Sequence, residues 1–184
     1  MQPTIYKELT AKRGKRGDQV GLQFVGMILA HDMDPFYQGP EVNLNGVTEE
    51  QFYSAVRDHL WSKQRDVYGD AAEVLGWVLE YKKKHGKPTE YVERLIEDAL
   101  LHMDPLQPNA KGDEAKFLVC LQRIQLHDRS TVQKYMTKVI YLVSQLYGNL
   151  KIDALKIIAT NSEDISELFS TLKSKRLLKA LTRG

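Results

Sequence analysis

The chain has 184 residues, 42% of them apolar and 27% charged, with a formal net charge of +2. That balance excludes general disorder and suffices for one globular domain with a real core. A single cysteine, Cys120, excludes an intrachain disulfide and a thiolate zinc site; with no Asn-x-Ser/Thr triplet present, a reducing, intracellular setting, cytoplasmic or nuclear, is expected.

The first element, residues 1–18, is a basic N-terminal segment. Lys7, Lys12, Arg13, Lys15 and Arg16 stand there against Glu8 and Asp18, a local charge of +3. Helical periodicity dominates from Gln19 onward, with no alternating strand pattern, so the fold class expected is all-α. A first helix spans about Gln19 to His31. Its apolar stretch, Val20 to Ala30, is interrupted by Gln23 and falls short of the roughly 20 residues that span a bilayer, so no membrane contact is expected. After a loop through Asp34–Val47, Thr48-Glu-Glu-Gln51 matches a capping box and opens a helix with Phe52, Val56, Leu60 and Trp61 inward, running to about Val67. The next helix starts near Asp70, buries Val74, Leu75, Trp77 and Val78, and ends at Lys82-Lys-Lys84 before Gly86, where cations and a glycine suit a negative helix end. Pro88 takes the first turn of a helix burying Tyr91, Leu95, Leu100 and Leu101. Beyond the loop 104–112, helices are expected near 113–126, 130–147, 152–160 and 163–182. The whole is a single bundle of about eight helices. A shift of 65 superposes Phe52 on Phe117, Val67 on Val132, Val74 on Val139 and Val78 on Val143, which leaves open a weakly repeated helical unit. Apolar periodicity alone produces the same matches.

Signatures of chemistry are sparse. The phosphate-cradling G-x-x-x-x-G-K-[ST] and G-x-G-x-x-G loops are absent, as is any Glu-x-x-His pair, so neither a catalytic residue nor a cofactor is assigned and a non-enzyme is expected. Cys120, between Val119 and Leu121, reads as a small core residue. The doublets His31-Asp32 and His127-Asp128, with His102 and Asp153, have the residue types of a metal-dependent phosphohydrolase, but their places at helix ends suit capping as well, and no metal ligand is assigned. The string Ser130-Thr-Val-Gln-Lys-Tyr-Met136, after the turn His127-Asp-Arg129, is similar to recognition helices of helix-turn-helix proteins. That resemblance implies Ser130 as a helix cap meeting phosphate, Val132 inward, and Gln133 and Lys134 toward bases. The turn glycine of that motif is missing, and Tyr135, Met136, Val139 and Ile140 serve equally as core.

The last segment, 171–184, is a basic amphipathic helix: Lys173, Lys175, Arg176, Lys179 and Arg183 without an acid give +5. The acidic body between the ends, 19–170, is left with −6 of the net +2. Lys173, Arg176, Lys179 and Arg183 lie opposite Leu177, Leu178 and Leu181, and the upstream stripe of Ile165, Leu168, Phe169 and Leu172 is out of phase with those leucines. Two readings follow. Lys12, Arg13, Lys15, Arg16, Lys173, Arg176, Lys179 and Arg183 neutralise phosphates, making the chain a nucleic-acid-binding subunit of a nucleoprotein assembly. Alternatively, Leu177, Leu178 and Leu181 hold a protein partner or a second copy, and the chain is a helical adaptor.

Overall fold

The computed structural model describes residues 49–106 and 113–161, together with Leu22, which is helical and fully buried. Among these residues there are seven α-helices and no strand, as an all-α reading requires. They are α1 (Glu49–Leu60), α2 (Arg65–Lys84), α3 (Glu90–Met103), α4 (Glu114–Ile124), α5 (Arg129–Gln133), α6 (Met136–Val143) and α7 (Gly148–Asn161). The basic segments 1–18 and 171–184, Thr48, and the helices expected at 19–31 and 163–182 lie outside the described residues, Leu22 excepted. The eight cations and three leucines singled out above lie outside them too.

Apolar spacing explains most of the packing. In α1, Phe52, Val56 and Leu60 recur every four residues and are buried, with Tyr53 beside them. The helix stops at Leu60, earlier than the expected Val67, because the chain turns there: Trp61 and Ser62 donate back to the carbonyls of Asp58 and His59. Val67 belongs instead to α2, which begins at Arg65 rather than near Asp70. The end of α2 follows the expectation. Gly86 adopts φ 61°, its amide reaches Lys83, and the Lys87 amide reaches the Lys82 carbonyl, the double closure of a Schellman turn. Helix α3 starts at Glu90, with Thr89 rather than Pro88 at its threshold. Its inward side is Val92, Leu95, Ile96, Ala99, Leu100 and Met103, whereas Tyr91 and Leu101 face solvent.

α2 and α4 form the central pair, with α1 on the far side of α2, α7 on the far side of α4, and α6 against α7; α3 touches α1, α2 and α4. Gly76 makes the central approach close. A Cβ there would stand 3.1 Å from the Ile124 carbonyl oxygen and 3.2 Å from its Cα, so even alanine would force the helices to shift. Asp113 caps α4 by accepting from the Lys116 amide at 3.0 Å. Phe117, Leu118, Leu121 and Ile124 fill the space between α4 and its neighbours, and Cys120 is buried among them, its thiol pushed up to about 12 by burial. All eight residues paired by the 65-residue shift are buried, a consistency with repetition that shared helical periodicity also explains.

Candidate functional site

The segment similar to a recognition helix is not one. Helix α5 has five residues, ends at Gln133, and is followed by a turn at Lys134 and Tyr135 before α6 begins. Five residues give little more than one turn, too short to lay along a groove. Asp128, not Ser130, stands at the N-terminal threshold of α5. Its carboxylate accepts from Lys83 Nζ at 2.8 Å, Ser130 Oγ at 2.7 Å and Thr131 Oγ1 at 2.5 Å. Ser130 is thus committed to a bridge between α2 and α5, and Lys134 pairs with Glu97 at 2.7 Å. Val132, Val139 and Ile140 are buried and the Tyr135 ring lies 6.1 Å from that of Phe117, so the alternative of ordinary core contacts is the one that holds.

The residues with the types of a metal site are scattered among separate partners. His102 stacks edge-on against Trp61 at 5.1 Å, Asp128 has the hydroxyl and lysine partners above, and Asp153 accepts from Arg65 at 3.1 Å. Among the described residues no three His, Cys, Asp or Glu side chains are grouped to hold a metal ion. No described helix is long and apolar enough to cross a membrane.

His127 sits in a polar cluster on the α2–α4 seam. Its ring stacks on Trp77 at 4.2 Å, Nδ1 faces Glu80 Oε2 at 3.2 Å, and Nε2 faces Glu73 Oε1 at 3.7 Å. Arg123 donates to the other Glu73 oxygen at 2.7 Å. Trp77, expected in the core, is half-buried: it lies at the edge of the seam with His127 across one face. His127, and after it the Arg123 guanidinium, hold the Glu73 carboxyl below the usual range despite partial burial. Burial pushes Asp128 up, but the hydrogen bonds from Lys83, Ser130 and Thr131 outweigh it and leave that carboxyl lowered as well. The sign follows directly. Both carboxylates add stability that is complete above their unfolded values, near 4, and is lost as pH falls through their lower folded values. The melting temperature of the chain should therefore fall steadily from pH 5 to pH 2. Asp128→Asn should be less stable at pH 7 and show a shallower fall; an unchanged acid profile would mean that Asp128 is not held as described.

Away from the core, large apolar side chains face solvent in two stretches of the chain. Trp61, Leu101 and Leu106 are exposed near the α1–α2 turn and the end of α3, and Tyr141, Tyr147, Ile152 and Leu155 on α6, α7 and the turn between them. The first group has three such residues and the second four.

A scan of protein families matches the model described as DNA-PKcs, CC5, over residues 2–184. The chain belongs to the DNA-PKcs, CC5 family. Curated relatives agree: the chain is 32% identical over 163 residues to the DNA-dependent protein kinase catalytic subunit of Xenopus laevis, 26% over 168 residues to that of Mus musculus, and 29% over 158 residues to that of Dictyostelium discoideum. The matches cover 87%, 90% and 85% of this chain but only 4% of each relative. The chain thus spans a twenty-fifth of the length of the relatives it matches. This corrects the expectation of a nucleic-acid-binding subunit of a nucleoprotein assembly that contacts phosphates through basic ends. The CC5 match runs through the acidic helical body and both ends alike, and what it matches is a small helical region of a far longer kinase. Sequence reasoning named no family, because periodicity, charge and short chemical motifs do not detect a likeness of about 30% identity over the whole chain.

Proposed function

We propose that this CC5 chain is a non-catalytic, load-sharing helical segment of a protein of the DNA-dependent protein kinase catalytic subunit type. Its work is to pack between flanking segments of the same polypeptide and hold them in register. The observation that carries the reading is the pairing of near-complete coverage of this chain with 4% coverage of its relatives. A segment within so long a chain meets neighbours on more than one side, and exposed apolar side chains in two separate stretches, around Leu101 and around Ile152, are what such contacts need. The DNA in the relatives' name belongs to the whole enzyme; in this reading the segment shares its setting, inside the cell and, where there is one, in the nucleus. Its first partners are protein, namely the adjoining helices.

Substituting Leu101 and Leu106, or Ile152 and Leu155, by glutamine tests this. In the isolated chain each pair should change stability by less than about 1 kcal/mol, since exposed apolar groups contribute little to the fold. In the long polypeptide the same pairs should open new protease sites at the borders of the segment. Unfolding of the isolated chain by these substitutions, or an unaltered digestion pattern of the long one, would contradict the proposal.

A further inference from the structure

We propose that His127 is a proton-operated clasp between α2 and the end of α4, closed when both ring nitrogens carry a proton and loosened when one is lost. The side chain is 13% exposed, so its ring nitrogens face protein more than solvent. Each nitrogen faces a different carboxylate of α2: Nδ1 faces Glu80 at 3.2 Å, and the buried Nε2, which makes no hydrogen bond, faces Glu73 at 3.7 Å. A neutral imidazole has one N–H and one lone pair. Whichever tautomer forms, the lone pair then points at a carboxylate and repels it. The doubly protonated ring removes the conflict, presenting a donor and a positive charge to both acids.

Three further features favour that charge. The Trp77 ring at 4.2 Å offers its negative face. His127 lies in the turn that closes α4, whose carbonyl end is negative, and its amide donates to the Ile124 carbonyl at 3.1 Å. Asp128, next along the turn, is engaged with Lys83, Ser130 and Thr131 and is not a competing partner. Arg123 of α4 opposes the charge in part by sharing Glu73, and on α7 Asn161, which is uncharged, is bonded to Gln125. The clasp lies one turn from the close approach of α2 and α4 at Gly76, where an added Cβ would meet Ile124 and the His127 Cβ, so its state bears directly on how tightly the central helices seat. This inference does not depend on the role proposed for the segment within a longer kinase.

Thermal unfolding of the purified 184-residue chain at pH 8 and pH 6 tests it, because an imidazole changes charge within that interval. His127→Gln keeps a polar group and removes the charge. Its deficit in melting temperature relative to the parent should widen by about 2–4 °C on going from pH 8 to pH 6. In a Glu73→Gln/Glu80→Gln background the same substitution should show no such widening. Equal deficits at both pH values, or widening that survives without the two carboxylates, would overturn the clasp. Should His127→Gln not fold, Glu80→Gln, at the more exposed partner, is read instead: its deficit should widen in the same direction, and a constant deficit overturns the proposal.

Discussion

Truncation of Phe117 to alanine should cost about 3–5 kcal/mol, the range for deleting a buried ring and leaving its cavity. Phe117 is fully buried in α4, the bulkiest of the completely enclosed side chains, and meets the Tyr135 ring nearly at right angles, 76° between planes. Its loss would remove the side chain that joins the central helix to the α5–α6 connection. Against an ordinary domain stability of about 5–15 kcal/mol, that is a large fraction of the total. Denaturant unfolding monitored by helical circular dichroism measures the effect, with Leu126→Ser, at an exposed position, as a control within about 0.5 kcal/mol of the parent. A cost below about 1 kcal/mol for Phe117→Ala would mean that the core is not built around it.

The second large effect concerns a buried charge. Asp104 is completely enclosed at the end of α3; one of its oxygens accepts from the Leu106 amide at 2.9 Å and the other pairs with Lys138 of α6. Lys138→Met removes the only cation joined to that carboxylate among the described residues and leaves the acid stranded. Breaking a fully buried pair costs about 3–5 kcal/mol, and because Lys138 is one-third exposed the expected loss is nearer 2–3 kcal/mol. Adding Asp104→Leu to Lys138→Met should restore most of it, since two apolar groups need no partner. If the single variant costs no more than a surface ion pair, about 1 kcal/mol or less, then water reaches Asp104 and the pair is not structural.

These two residues also mark what the amino-acid sequence reveals and what it hides. Phe117 sits on a 3.6-residue stripe with Cys120, Leu121 and Ile124, and such stripes made α1, α2 and α4 legible. The same signal misleads at its edges. Tyr91 and Leu101 are apolar yet lie outside the arc shared by Val92, Leu95, Ile96, Ala99 and Met103, and Trp77 lies on the arc of α2 but at its rim. The break at Lys134 and Tyr135 has neither glycine nor proline to announce it; it follows from how α5 and α6 pack, which is tertiary information. Charge pairing is hidden for a similar reason. Asp104 and Lys138 are 34 residues apart, Lys83 and Asp128 are 45 apart, and no periodicity links them. The His127 cluster joins residues 47 apart on two helices, so the doublet His127-Asp128 pointed to the right place with the wrong chemistry. The charge asymmetry of the ends, which suggested nucleic acid, is a feature of residues 1–18 and 171–184 and identifies no site by itself.

The proposed place of this sequence is as one helical segment of a far longer kinase-type polypeptide. An antibody raised against the described helices, used on a native extract separated by size and followed by peptide mass spectrometry of the reactive band, tests it most directly. The account predicts a polypeptide many times heavier than 21.1 kDa whose other peptides match further regions of DNA-dependent protein kinase catalytic subunits. A reactive species that runs at about 21 kDa and yields peptides from these residues alone would contradict it.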